Sequence, residues 1–234
     1  MIETLSRPLA KRIVGLALAA PEAAEPDIPA HVVRAASEAL DRGETHYADR
    51  PGIPELRALV ANRLNARFGL GYQPNDVTIT CGSTEARYCA LQLFVKSGAP
   101  VVCPGDSRRI DATVLLGGLT LLKTDDAQAG SVLYLTPADD VAVWLDLAEA
   151  NDWWVIWDTS GQPAGAVHPA QRPALVARVI SIDDLESQMP GWRVGWMVGS
   201  EKHTQLRAFK QAMTICTTNV SQWAALELLR SEDA

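Results

Sequence analysis

A chain of 234 residues, 47% apolar and 21% charged, is long enough to bury one full core and has the composition of a globular protein. Its formal charge of −7 leaves only local basic pairs such as Arg108-Arg109, which excludes general binding to nucleic acid. No apolar run reaches membrane-spanning length, and the start Met1-Ile2-Glu3-Thr4-Leu5-Ser6-Arg7 lacks the pattern of a secretion signal, so a cytoplasmic protein with no membrane partner is expected.

In chain order, Leu5, Leu9, Ile13 and Leu16 recur at helical spacing over residues 4–19, and Pro21 ends the pattern. Residues 20–28 form a linker-like arm of Pro, Glu and small residues. A second helix carries Val32, Val33, Ala36 and Leu40 on one face, with Gly43 as a C-cap candidate. A third begins at Pro54 and carries Leu56, Leu59, Val60, Leu64 and Phe68. The chain then alternates. Strands are predicted at 77–80, 100–103, 119–122, 132–135, 153–157, 179–182 and 194–198, with helices at 84–96, 110–116, 143–150 and 170–177 between them. Helices at 202–213 and 220–230 close the chain. This alternation predicts an α/β fold with a mostly parallel seven-stranded sheet and helices on both faces. Cys81, Cys89, Cys103 and Cys216 fall in these elements without metal-ligand spacing, so reduced, buried thiols and no metal are expected.

Four stretches carry chemistry. Between Arg178 and Gly199 an apolar strand runs into a polar loop, closed by Met189-Pro190-Gly191-Trp192-Arg193, and out along a second strand. Such a loop lies at a strand end, where open α/β sheets hold ligands. Gly82-Ser83-Thr84-Glu85-Ala86 follows the first strand and opens a helix, as an anion cradle or as a plain capped helix start. Asp158 ends a strand. Tyr47 precedes Gly52-Ile53-Pro54-Glu55-Leu56-Arg57, which by itself simply begins a helix.

In this order the four stretches resemble the class I/II aminotransferases, pyridoxal-phosphate enzymes of fold type I. The resemblance implies an α/β/α large domain over residues 30–234, preceded by an N-terminal helix and arm over 1–29, with the family's small C-terminal domain absent. It implies that Gly82, Ser83, Thr84, Ser181 and Arg193 meet the cofactor phosphate, that Tyr47 reaches the phosphate in a partner subunit, and that Asp158 pairs with the pyridine nitrogen. It also implies a homodimer, or pairing with a related aminotransferase.

The departures fall on the chemistry. The lysine that bonds the cofactor in this family is replaced by Leu185, or by Asp184 if the loop carries one extra residue, and no lysine occurs between Lys123 and Lys202. The family's Asp-x-x-Tyr is Asp158-Thr159-Ser160-Gly161, its Asn-bearing loop is Thr136-Pro137-Ala138-Asp139-Asp140, and residues 104–109 offer no aromatic ring to stack on the cofactor. A positioned base is worth ~10²–10⁴-fold in rate, and neither Leu185 nor a carboxylate replaces the amine that holds the cofactor. Asp183, Asp184 and Glu186 read first as a solvated acidic loop and second as a substitute base. A catalytically degenerate protein is therefore expected, with pyridoxal phosphate held noncovalently or lost, acting by association. The alternatives are an active transferase with altered chemistry and an unrelated phosphate- or nucleotide-binding α/β domain, though no glycine-rich nucleotide motif supports the latter.

Overall fold

Apolar runs too short for helices and too continuous for a half-exposed sheet become strands buried on both faces. The computed structural model describes residues 11, 12, 15, 26–95, 100–117, 119–122, 131–162, 165–199 and 201–232. The helix expected over 4–19 lies, apart from residues 11, 12 and 15, outside the described residues. The strands are β1 (Val77–Thr80), β2 (Val101–Val102), β3 (Leu121–Leu122), β4 (Val132–Leu135), β5 (Trp154–Asp158), β6 (Val179–Asp184) and β7 (Gly195–Val198). They form one sheet in the order β1-β7-β6-β5-β4-β2-β3. Only β7 runs antiparallel, to both β1 and β6; β2 through β6 pair in parallel.

Successive side chains on a strand point to opposite faces, and that alternation divides the core in two. Val155, Trp157, Val179, Trp196 and Val198 face one layer, with the helices α1 (Ala30–Asp41), α2 (Pro54–Phe68), α5 (Val141–Ala150) and α7 (Asn219–Glu232). Ile156, Ile180, Ile182 and Met197 face the other, with α3 (Gly82–Val95), α4 (Asp111–Gly117) and α6 (His203–Thr214). The helix expected over 170–177 is replaced by two 3-10 turns, Pro169–Gln171 and Val176–Arg178. Pro173 explains the difference, because it disfavours helical backbone at Arg172, which is extended (φ −85°, ψ 118°). The cysteines are free, but only Cys89 is buried; Cys81 sits past the end of β1 and is exposed. No helix among the described residues is long and apolar enough to cross a membrane.

The run from Gly52 to Arg57 does more than begin α2. Ile53 N–H donates to Gln222 Oε1 of α7 (2.8 Å), and buried Arg57 donates to Gly52 O (2.9 Å), Pro74 O (3.0 Å) and Asp49 (3.1 Å). Gly52 has φ +108°, and a Cβ there would lie 2.3 Å from Ile79 Cγ1 and 2.9 Å from Gln222 Oε1. Strained backbone and displaced packing combine at this position, so Gly52→Ala is expected to lose about 1–3 kcal/mol of unfolding free energy, measured by urea denaturation.

Candidate functional site

Four chain segments meet at the carboxyl ends of β1, β5 and β6: the start of α3, the turn after Asp158, the end of β6 and the loop closed by Arg193. Gly82 takes left-handed backbone (φ +72°), and Arg193 Nη2 lies 2.5 Å from the place a Cβ would occupy. Only glycine lets the guanidinium settle there. Arg193 itself has φ +53°, at the close of the turn Pro190–Trp192, and its Nη1 is 3.4 Å from Glu186 Oε1. Ser83 is fully buried, whereas Thr84 is exposed.

The cradle at Ser83 is filled by the chain itself. Asp184 Oδ2 accepts from Ser83 Oγ (2.5 Å) and from Ser83 N–H (3.3 Å). A carboxylate thus takes the position at the helix N-terminus where free backbone donors favour an anion. Of the two residues expected at the lysine position, Asp184 enters this site, whereas Leu185 is 3% exposed and belongs to the core on the other face.

Asp158 is equally engaged. Its Oδ2 accepts from Arg87 Nε (2.5 Å) and from Tyr134 Oη, and its Oδ1 accepts from Ser160 Oγ (2.6 Å) and Ser160 N–H (3.0 Å). That uses the roughly four acceptor sites of a carboxylate. Arg87 also donates to Ser160 Oγ, and Arg109 donates to Ser160 O and Oγ. Burial works against the Arg87 cation, but Asp158 and Tyr134 together raise its pKa above the ordinary value. Burial and the Asp158 charge push the Tyr134 phenol well above its ordinary value.

These residues do not fit pyridoxal phosphate as they stand. The Ser83 donors expected to meet its phosphate are held by Asp184, and the carboxylate expected to meet its ring nitrogen is held by the Arg87 cation. Arg109 reaches Ser160 from the loop that offers no stacking aromatic.

Two expected residues are not brought to this site. Ser181 lies three residues before Asp184 on β6, an odd offset that puts its side chain on the opposite face. There its Oγ is 2.8 Å from His168 Nε2. Ala170 N–H occupies His168 Nδ1 (3.1 Å), so the imidazole proton sits on Nε2 and is donated to the serine. This pair has the wrong polarity for a histidine that activates a serine. Tyr47 stands on the surface, 79% exposed, and lines a shallow hollow with Cys216 and Thr218.

Sequence reasoning missed Arg87, Tyr134, Ser160, Arg109 and His168. For Arg87 a signal existed: it sits four residues after Ser83 on the same face of a helix whose neighbours Ala86 and Ala90 are buried, where a cation needs a carboxylate. Asp158→Ala leaves that cation buried and unpaired, which is expected to cost about 3–5 kcal/mol. Adding Arg87→Leu should recover part of the loss in a double-mutant cycle read by urea unfolding. Burial pulls the His168 pKa from 6.5 to about 4. Its neutral form is the folded form, so its contribution is complete above pH 6.5 and is lost as pH falls through 4. The stability of the native protein relative to His168→Gln should drop by about 3 kcal/mol over that window.

Comparison with known proteins bears on the fold. The sequence model of the family described as aminotransferase class I and II matches residues 11–105. A probable aspartate aminotransferase of Methanocaldococcus jannaschii is 37% identical over 81 residues, which are 35% of this chain and 22% of that protein. The aspartate aminotransferase of Rhizobium meliloti is 25% identical over 88% of this chain and 60% of its own length. The chain thus spans less than two thirds of these relatives. Among solved structures, a mutant aspartate aminotransferase of Thermus thermophilus superimposes with a TM-score of 0.81 at 21% identity, over 99% of this chain and 73% of that one. An N-succinyldiaminopimelate aminotransferase of Mycobacterium tuberculosis gives 0.80 at 22% identity, over 98% and 73%. These likenesses fix the fold as that of the fold type I aminotransferases. By its motifs, their order and these likenesses, the chain is similar to the class I and II aminotransferases and shares their fold.

Proposed function

We propose that this chain is a degenerate member of its family, which keeps the large-domain fold over residues 30–234, does not transaminate, and acts in the cytoplasm by association, as a homodimer or paired with a related aminotransferase. One observation carries this reading: the Asp184 carboxylate holds both Ser83 donors, so an anion is already seated where a phosphate would have to bind. The loop that should carry the cofactor-bonding amine has no lysine. Any pyridoxal phosphate held by Gly82, Thr84 and Arg193 would have to displace Asp184 and would be bound noncovalently. Exposed Leu40, Tyr47 and Ile215 support an association surface, and Leu40 and Tyr47 share one hollow beside Cys216.

An active transferase with altered chemistry is the second reading. The names of the relatives favour it, and so does Lys210, a fully buried amine whose pKa is lowered by burial, with Nζ 3.3 Å from Thr217 Oγ. A less protonated amine is the nucleophile such chemistry requires.

The discriminating experiment is a titration with pyridoxal phosphate followed by absorbance and tryptophan quenching, then borohydride reduction and mass analysis. No reducible adduct is expected, with quenching absent or weak. A stoichiometric adduct on Lys210 or another lysine would establish the active reading. Light scattering of the same preparation should show a dimer, and a clean monomer would remove the homodimer.

A further inference from the structure

The face of the sheet opposite the cradle holds a cavity of about 970 Å³ between the strand ends of β5 to β7 and the helices α2 and α7. Trp157, Ser181, Asp183 and Trp196 line it from the sheet, and Leu59 and Leu229 from the helices. None of these is among the residues that hold Asp158 or fill the Ser83 cradle.

Two groups in this cavity are left short of a partner. Trp157 is 1% exposed, yet its indole Nε1–H has no hydrogen-bond acceptor among the described residues. Buried indole N–H groups ordinarily find one. Ser181, which accepts the proton of His168 and interacts with the Tyr72 hydroxyl, is engaged within the chain. Asp183 accepts from Asp184 N–H (2.9 Å) and from the Thr159 side chain but makes no ion pair among the described residues. Burial pushes its carboxyl up to about 7, the mark of a carboxylate without a cation.

The other charges around the cavity are matched. Arg63 pairs with Glu232 (2.8 Å), Asp184 is held by Ser83, and Arg67 lies over the Phe68 ring. Asp183 is therefore the charge that remains to be answered, and the two indoles beside it suit a cation with an apolar body.

We propose that this cavity is a binding site for a small organic amine that carries an apolar body and a hydrogen-bond acceptor. The ammonium pairs with Asp183, the body lies against Trp157 and Trp196, and the acceptor takes the free N–H of Trp157. Asp184 borders both this cavity and the Ser83 cradle, but Asp183, Trp157 and Trp196, which would hold the amine, take no part in the cradle, so the site is tested apart from the degenerate reading of that seat.

Calorimetric titration of the intact chain with tyramine tests the proposal, with 2-(4-hydroxyphenyl)ethanol as the same body without the amine. Tyramine should bind saturably and at least about tenfold more tightly than the alcohol. Asp183→Asn should erase that difference, and Trp157→Phe should weaken both ligands, with circular dichroism confirming that each variant is folded. No saturable heat at millimolar tyramine, or equal affinity for amine and alcohol on the native chain, would overturn it. So would a folded Asp183→Asn variant that keeps the native preference. The comparison of the two ligands on the native chain decides the matter even if a variant does not fold.

Discussion

The ion pair between Arg87 and Asp158, both almost wholly out of water, is the contact on which the rest of the site depends. A carboxylate buried at a strand end needs a cation, and a guanidinium buried on a helix needs an anion. Each residue answers the other, and the bond ties α3 to the end of β5. Tyr134 and Ser160 complete the carboxylate, and Arg109 closes over Ser160, so the network is satisfied throughout. Asp158 was expected to meet a cofactor; its counter-charge comes from the polypeptide.

The same substitution of protein for ligand recurs about the other charge. The start of α3 offers an anion site by its geometry alone, and Asp184 provides the anion. The two arrangements are complementary: a positive group faces Asp158, and a negative group faces the Ser83 donors. The loop without a lysine thus lies beside polar groups whose partners are all supplied within the chain.

The alternation along β6 decides which side of the sheet each residue serves. Asp184 turns to the cradle with Ile180 and Ile182, while Val179, Ser181 and Asp183 turn to the opposite layer. Adjacent acidic residues thereby acquire different chemistry. Asp184 is held by three donors, Ser83 Oγ, Ser83 N–H and Glu186 N–H, whereas Asp183 stands in a cavity walled by indoles, and burial raises its pKa. A loop that reads in sequence as one acidic cluster is, in the fold, two separate environments.

The sequence by itself determined the seven strands, the parallel α/β architecture, the placing of Gly82, Asp158 and Arg193 at strand ends, and the lack of an amine in the loop, because periodicity, glycine positions and residue identity are local properties. It did not determine where residues 170–177 would give up a helix to two turns around Pro173, although that proline was in view. Only the tertiary structure decided that Ser181 meets His168 and not the cradle, that Asp184 and not Leu185 enters the site, and that Arg87 answers Asp158 across 71 residues of chain. The physical reason is that a shift of one residue in register moves a side chain through the sheet, and the partner of a buried charge is fixed by which elements pack together, which no local pattern records.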